Sequence, residues 1–153
     1  MNNASQQIPV YMTIIKYALI GKESKMTTQQ ILDYCLSKPG AYVDFPFGSD
    51  VTVVKLKSKD QDKGRIFAQL FVLRSKPKAT FNCDMMIGET YRRIYPDTVT
   101  RGYHCPPALQ PYFNTVSLDG TVPSEELCKM IDHAYTVVLK KFPKYIQKEI
   151  EAL

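Results

Sequence analysis

Three strand-like segments follow one another in the first half of the chain, and only short polar turns separate them. They run from Val51 to Lys57, from Arg65 to Leu73 and from Lys78 to Cys83, and they are rich in β-branched and aromatic residues. Parallel strands need a crossover connection of a dozen or more residues, which these turns are too short to supply. The sequence therefore predicts an antiparallel meander.

The middle segment of this meander carries apolar residues on both of its faces. Successive side chains of a strand point to opposite faces of a sheet. One face has Ile66, Ala68, Leu70 and Val72, and the other has Phe67, Phe71 and Leu73. We therefore expect this strand to lie in the centre of the sheet and to be covered on both sides.

Helices are predicted before and after the meander. The first begins with Thr27 or Thr28 as N-cap and ends at Pro39-Gly40; its apolar stripe comprises Ile31, Leu32, Cys35 and Leu36. The second begins after Asp84 as N-cap, points Ile87, Tyr91 and Ile94 inward, and ends with Arg92 and Arg93 near its carboxyl end.

Two further strands, Thr98 to Tyr103 and Phe113 to Leu118, and a long helix complete the pattern. Pro123 opens that helix, and its amphipathic stripe comprises Leu127, Ile131, Ala134, Tyr135, Val138 and Phe142. Residues 144–153 are expected to form a short tail helix. The element order α-α-β-β-β-α-β-β-α predicts an α+β fold, with an antiparallel sheet of about five strands, a meander plus a hairpin, packed against helices.

The chain is expected to contain one domain, over residues 26–143. Residues 1–25 form an N-terminal helical appendage and linker in this interpretation, and residues 144–153 a C-terminal tail. A length of 153 residues is enough to bury a core without a disulfide or a metal. The N-terminus lacks a signal-peptide pattern and no apolar run approaches the roughly 20 residues of a membrane span, so we expect a cytoplasmic protein without membrane contact.

No pattern of reactive residues predicts a catalytic or metal site. The four cysteines, Cys35, Cys83, Cys105 and Cys128, include no close pair of the kind that zinc requires, and we expect reduced thiols. His104 adjoins Cys105, but adjacent residues of an extended segment face opposite ways. We expect no enzymatic activity, no metal and no cofactor; an enzyme would need His104 and a cysteine to converge in a deep pocket.

Positive charge is concentrated in the meander. The chain has 20 Lys and Arg against 15 Asp and Glu. Between Gly48 and Phe81, eight basic residues face three acids, a surplus equal to the whole net charge of +5. The eight are Lys55, Lys57, Lys59, Lys63, Arg65, Arg74, Lys76 and Lys78. They are predicted to contact nucleic-acid phosphates around the hairpin turns; the alternative is a solvated basic hairpin that prevents edge-to-edge aggregation.

The second hairpin contains aromatic residues with two possible roles. Tyr103, Tyr112 and Phe113 are either candidates for stacking on bases or ordinary packing residues. The sequence leaves both interpretations open.

Several short motifs together resemble one family. They are Pro39-Gly40, the pentapeptide Asp44-Phe45-Pro46-Phe47-Gly48, Cys83-Asp84, Tyr95-Pro96, Gly102-Tyr103-His104, Asn114-Thr115-Val116 and Asp119-Gly120. In this order the chain resembles the MmcQ/YjbR-like proteins over about residues 27–142. The resemblance implies a small YjbR-like, CyaY-like α+β fold with a "double wing" DNA-binding motif, and hence duplex DNA as partner.

The pentapeptide is interpreted as a structural motif. We expect Phe45 and Phe47 to be buried anchors that latch the linker onto the sheet, Pro46 to be a stiff bend, and Gly48 to need unusual backbone angles, whereas Asp44 caps or pairs locally. The functional hypothesis is a non-enzymatic DNA-binding protein whose basic hairpin wings contact the phosphate backbone. The alternative is a protein- or peptide-binding module that uses the sheet face.

Overall fold

The computed structural model describes residues 25–153, so the predicted N-terminal helix lies outside the described residues. Six strands and four α-helices follow one another in this range. They are α1 (Thr28–Leu36), β1 (Ala41–Asp44), β2 (Val51–Leu56), β3 (Arg65–Leu73), β4 (Lys76–Asn82), α2 (Met85–Ile94), β5 (Val99–Arg101), β6 (Phe113–Ser117), α3 (Ser124–Leu139) and α4 (Lys144–Glu151). A short 3-10 helix, Gln110–Tyr112, leads into β6.

All strands pair antiparallel in one sheet with the order β1-β2-β3-β4-β6-β5. The predicted α+β class and meander are therefore confirmed. The sheet has six strands rather than about five, because Ala41–Asp44 forms an additional strand. It pairs with the last four residues of β2, from Ala41 opposite Leu56 to Asp44 opposite Val53. A segment of four residues is too short to show strand periodicity, so only its pairing partner defines it as a strand.

A bulge in β3 changes which face its residues occupy. Val54 pairs with Ala68 and Lys55 pairs with Ile66, so Phe67 is an extra residue on β3. Phe67 is fully buried and its ring meets Tyr135 of α3 edge-on at 5.6 Å. The bulge thus lets Phe67 and Ala68 both contribute to the helix-side core, where strict alternation predicted opposite faces.

The helices cover one face of the sheet. The predicted stripe of α3 is buried, with Ile131 and Ala134 fully excluded from solvent. A fully buried isoleucine such as Ile131 contributes about 1.5–3 kcal/mol. The predicted tail helix forms as α4, and its Ile146 and Ile150 join the same core.

Polar contacts join α1 to α3. The Tyr34 hydroxyl donates to the Asp132 carboxylate at 2.8 Å, and the Lys38 ammonium pairs with the same carboxylate. Lys38 also lies 4.6 Å from the centre of the Tyr34 ring. Burial, together with the Asp132 contact, raises the pKa of Tyr34 well above its ordinary value, so the hydroxyl stays protonated and continues to donate.

The caps of α1 and α2 are as predicted, but the buried face of α2 is predicted correctly only for Tyr91, which packs against the core. Asp84 accepts hydrogen bonds from two backbone N–H groups of the first turn. Ile87 and Ile94, expected to point inward, are exposed. The helix packs instead through Gly88, where an added Cβ would lie 2.5 Å from the Cys83 Sγ atom. A glycine allows this close approach, which rotates the two isoleucines outward.

Candidate functional site

The two turns of the meander lie at opposite ends of the sheet. β3 joins them and has nine residues, which places its ends roughly 26 Å apart. The predicted basic residues are therefore not one surface. Lys57, Lys59, Lys63 and Arg65 lie at one end of β3, and Arg74, Lys76 and Lys78 at or near the other.

Lys55 is occupied by an internal ion pair. Its ammonium lies 2.6 Å from the Asp44 carboxylate, and it is largely buried. The hydrogen bond from Lys55, with a second from the Phe45 N–H group, holds the pKa of Asp44 below its usual range. Asp44 thus pairs locally, and Lys55 is not available to an outside phosphate.

The turn between β2 and β3 is held by contacts to β1. The Lys57 ammonium lies 5.2 Å from the centre of the Tyr42 ring, and the Gly64 N–H group donates to the Tyr42 hydroxyl at 3.1 Å. Lys59 and Lys63 are exposed at its tip, together with the acids Asp60 and Asp62. The turn is therefore an anchored support for two solvent-facing lysines.

The junction of α3 and α4 brings more lysines to this end. The Arg65 guanidinium lies 5.2 Å from the centre of the Phe142 ring, and Phe142 stands between Lys141 and Pro143. Farther along α4, the side chain of Ile150 packs against Gly40, whose carbonyl accepts the Lys57 N–H group. The helix α4 therefore runs beside the turn.

We call this surface the basic end. It comprises Lys57, Lys59, Lys63, Arg65, Lys140, Lys141, Lys144 and Lys148. All are exposed except the half-buried Lys57, and none is ion-paired to another residue of the range 25–153. The predicted phosphate-contacting residues did not include the lysines of α3 and α4. The run Lys140-Lys141-Phe142-Pro143-Lys144 was the available sequence signal, but its proximity to Arg65 is a tertiary contact.

The basic end holds the charge excess of the described residues. Residues 25–153 contain 18 basic and 14 acidic residues. The basic end has eight basic residues together with four acids, Asp60, Asp62, Glu149 and Glu151, and the remaining ten basic and ten acidic residues balance. The surplus is thus local, and it creates a positive potential at one end of the molecule.

The turn between β3 and β4 is a tight two-residue hairpin. Arg74 and Ser75 have φ angles of 49° and 65°, the left-handed pair that a type I′ turn requires. Arg74 and Lys76 are exposed, whereas Lys78 is half-buried and its ammonium bonds the Ser117 hydroxyl. This end of the sheet therefore has fewer free cations than the basic end.

The pentapeptide is not a buried latch. The side chains of Phe45 and Phe47 are 52% and 62% exposed, which corrects the prediction of buried anchors. The loop between β1 and β2 projects beyond the paired residues, and nothing approaches Gly48 within 4 Å of an added Cβ. Gly48 does adopt the unusual backbone predicted for it, with φ 96°. The Phe-Pro-Phe loop is therefore a projecting turn near the hairpin of Arg74.

The thiols and imidazoles do not form a nucleophilic pair. Burial raises the pKa of Cys83 and of Cys128 to about 11, and it raises those of Cys35 and Cys105 as well. Such thiols are protonated near neutral pH and are poor nucleophiles. Among the side chains described, no three His, Cys, Asp or Glu residues cluster as they would around a metal ion.

The two histidines have other contacts. His104 packs on Phe71 and Tyr103, with ring centres 5.4 and 4.4 Å away. The Nε2 atom of His133 accepts the Asp84 N–H group at 2.8 Å. Within residues 25–153, no helix has the length and apolar character needed to span a membrane.

These features define a small α+β protein: a six-stranded antiparallel sheet covered by helices on one face, with a positive end built from a turn and a helix junction. The family model described as YjbR matches residues 36–137. The chain therefore belongs to the YjbR family.

Known proteins of similar sequence and structure agree with this assignment. The chain is 25% identical over 123 residues to the "Uncharacterized protein YjbR" of Escherichia coli K12, covering 80% of this chain and 96% of the relative. It superposes on a crystal structure of a Deinococcus radiodurans protein with a DUF419 domain at a TM-score of 0.73, with 28% identity, over 84% of this chain and 91% of that one. A Pseudomonas syringae protein, 18% identical with a TM-score of 0.56 over 74% of this chain and 99% of the other, shares the fold.

Proposed function

We propose that this protein binds duplex DNA through the phosphate backbone, using the basic end and no cofactor. The observation that carries the proposal is the charge distribution: the whole excess of the described residues lies at one end, on side chains that are free of ion pairs and, except for the half-buried Lys57, exposed. The resemblance to double-wing proteins implies the same ligand.

The expected contact is electrostatic and independent of base sequence. Lysine and arginine side chains neutralise phosphates and release condensed counterions, which supplies most of the free energy of non-specific binding. The contact of Arg65 with Phe142 brings the turn between β2 and β3 next to the junction of α3 and α4. Asp60 and Asp62 on the turn reduce the local potential, so we expect weak binding, micromolar or weaker, at physiological salt.

We further propose that the protein performs no chemical step on its ligand. The support is the state of its thiols, whose raised pKa values keep them protonated. A second support is that the Nε2 atom of His133 already accepts the Asp84 N–H group.

A salt titration of binding to a random-sequence duplex tests the proposal. We expect the logarithm of the binding constant to fall linearly with the logarithm of the salt concentration. Replacing Lys57, Lys59, Lys63 and Arg65 by Gln should lower both the affinity and the slope, by up to about 0.9 for each phosphate that is no longer neutralised. Replacing Arg74, Lys76 and Lys78 by Gln is the control at the other end of β3 and should change duplex binding much less.

Two results would contradict the proposal. One is a parent protein that does not bind duplex DNA even at low salt. The other is a variant of the basic end that binds as tightly, and with the same slope, as the parent.

A second candidate function, a protein-binding module, is favoured by a different surface. Helix α2 exposes Met85, Met86, Ile87 and Ile94 to solvent. Apolar side chains clustered on one helix are a common feature of protein interfaces. A pull-down that recovers one stoichiometric partner, together with absent or salt-insensitive DNA binding, would favour this candidate.

A further inference from the structure

The face of the sheet opposite the helices carries a distinct group of side chains. Lys78 pairs with Phe71 on one side and with Ser117 on the other. Its neighbour in the chain, Ala79, points into the helix-side core. Because successive side chains of a strand alternate, Phe71, Lys78 and Ser117 lie together on the face opposite the four helices of residues 25–153. Val53, Thr80 and Thr115 are buried on the same face. We call it the open face.

An aromatic cluster lies on the open face. The ring of Tyr103 stacks on Phe71 with centres 6.4 Å apart and planes 26° apart. His104 stands edge-on to Tyr103, with ring centres 4.4 Å apart. Phe71 is buried beneath this pair, whereas Tyr103 remains 50% exposed and His104 is exposed. The cluster thus offers an aromatic surface to the solvent on an apolar floor.

Hydrogen bonds and a close backbone approach hold Tyr103 in place. Its N–H group donates to the Thr115 hydroxyl at 3.0 Å, and that hydroxyl lies 2.8 Å from the hydroxyl of Thr80 on the next strand. At Gly102 an added Cβ would lie 2.7 Å from both the Cys105 Sγ atom and the Phe113 Cβ atom. The aromatic surface is therefore positioned before any ligand arrives, which reduces the entropic cost of binding.

Cations adjoin the aromatic cluster. Lys78 stands directly opposite Phe71, and such cross-strand pairs have Cβ atoms about 4.5–5.5 Å apart. Lys76 lies two residues away on the same face, about 7 Å along the strand. Neither lysine is ion-paired with a described residue, and Asp44 on this face is neutralised by Lys55. Two exposed acids adjoin this site: Asp50 precedes Val51, which is opposite Phe71, and Asp119 follows Leu118, whose N–H group donates to the Pro77 carbonyl beside Lys76.

We propose that the open face binds single-stranded nucleic acid, with an unpaired base stacked on Tyr103 and His104 and the adjacent phosphates contacted by Lys76 and Lys78. Aromatic side chains beside a basic strand are the features on which successive bases stack without sequence preference. A peptide added as a strand would need a free sheet edge, but Phe71 and Lys78 lie on central strands whose backbone groups are already paired.

The test uses the absence of tryptophan from the sequence. In a Tyr103→Trp variant the new indole is the sole tryptophan, and its fluorescence reports on stacking. We expect saturable quenching by an oligothymidylate of about ten nucleotides and little quenching by a blunt duplex of the same length. Equal quenching by both ligands, or none by the oligothymidylate, would overturn the proposal.

A second variant tests the proposal without relying on the fluorescence of the introduced tryptophan. Tyr103→Leu removes the ring, and the absence of one base–aromatic stack should weaken oligothymidylate binding about tenfold. The matched control is Tyr145→Leu, which removes an exposed tyrosine from α4, outside the open face. The proposal fails if Tyr103→Leu and Tyr145→Leu bind the oligothymidylate equally well.

The open face and the basic end give separable results. Neutralising the basic end should weaken duplex binding and leave the quenching of Tyr103→Trp by oligothymidylate in place. Tyr103→Leu should leave the duplex affinity unchanged. If the variant of the basic end also abolishes quenching, unpaired bases are bound there and the assignment to the open face is wrong.

Discussion

Replacing Lys140 and Lys141 together by Gln isolates the helical half of the basic end. Both side chains are exposed at the carboxyl end of α3, next to Phe142 and the Arg65 guanidinium that packs on it. No carboxylate of the described residues pairs with either lysine. The double substitution therefore removes two free charges without leaving a buried group unpaired, and we expect the fold to change in stability by less than about 1 kcal/mol.

The expected effect on duplex binding follows from counterion release. Each neutralised phosphate contributes about 0.9 to the slope of log affinity against log salt concentration. Removing both lysines should reduce the magnitude of the slope by about 1.8. At 0.1 M salt each neutralised phosphate is equivalent to about eightfold in affinity on the same relation, so the double variant should bind up to about 60-fold more weakly.

Fluorescence anisotropy of a labelled random duplex, measured at several salt concentrations, provides both quantities. The matched control is the double variant Arg93→Gln and Lys129→Gln, which changes the net charge equally at exposed side chains that are ion-paired to glutamates. We expect the control to bind almost as the parent does. Equal weakening in both double variants would show that only net charge matters. If the Lys140 and Lys141 double variant has the same salt slope as the parent, the junction of α3 and α4 does not contact DNA.

Three further predictions concern the fold. Gly88→Ala places a Cβ 2.5 Å from the Cys83 Sγ atom, so it should lower the free energy of unfolding by about 1–3 kcal/mol in urea titration; an unchanged midpoint would refute the close packing. Phe47→Ser should change the free energy of unfolding by less than about 0.5 kcal/mol, because the ring is mostly exposed. A large destabilisation would instead support the interpretation of Phe47 as a buried anchor. Burial lowers the pKa of His133, so the unfolded chain binds the proton more readily and the free energy of unfolding should fall as the pH drops below about 6.5. His133→Gln should flatten that fall, and urea titrations at pH 7 and pH 5 that show equal decreases in variant and parent would contradict it.

Local sequence signals predicted much of the fold correctly. Short turns between β-branched segments required antiparallel pairing, and the residues that cap α1 and α2 do so by bonding N–H groups three or fewer positions away. The stripe of α3 repeats over four turns, so its buried face was unambiguous. These features depend on interactions within one element or between neighbouring elements, which the order of residues specifies directly.

Features that depend on packing between distant segments were predicted less well. The four-residue strand β1 exists through its pairing with β2, and the register shift at Val54 and Lys55 moves Phe67 to the helix side. The inward face of α2 is decided by the contact of Gly88 with Cys83. Neither the pairing of a short strand nor the depth at which a helix packs leaves a periodic pattern in the sequence.

The positive charge of the molecule and its concentration in the meander were evident from the sequence alone, because net charge depends on composition and the position of charged residues along the chain depends on their order. The sequence did not show that the basic residues of the meander divide into two groups. They do so because the nine-residue strand β3 places the two turns at opposite ends of the sheet. The fold then brings Lys140 and Lys141 to Arg65, some 75 residues earlier in the chain, through the contact with Phe142. Only chain folding creates such proximity, since which surface charges become neighbours is set by how the core packs beneath them.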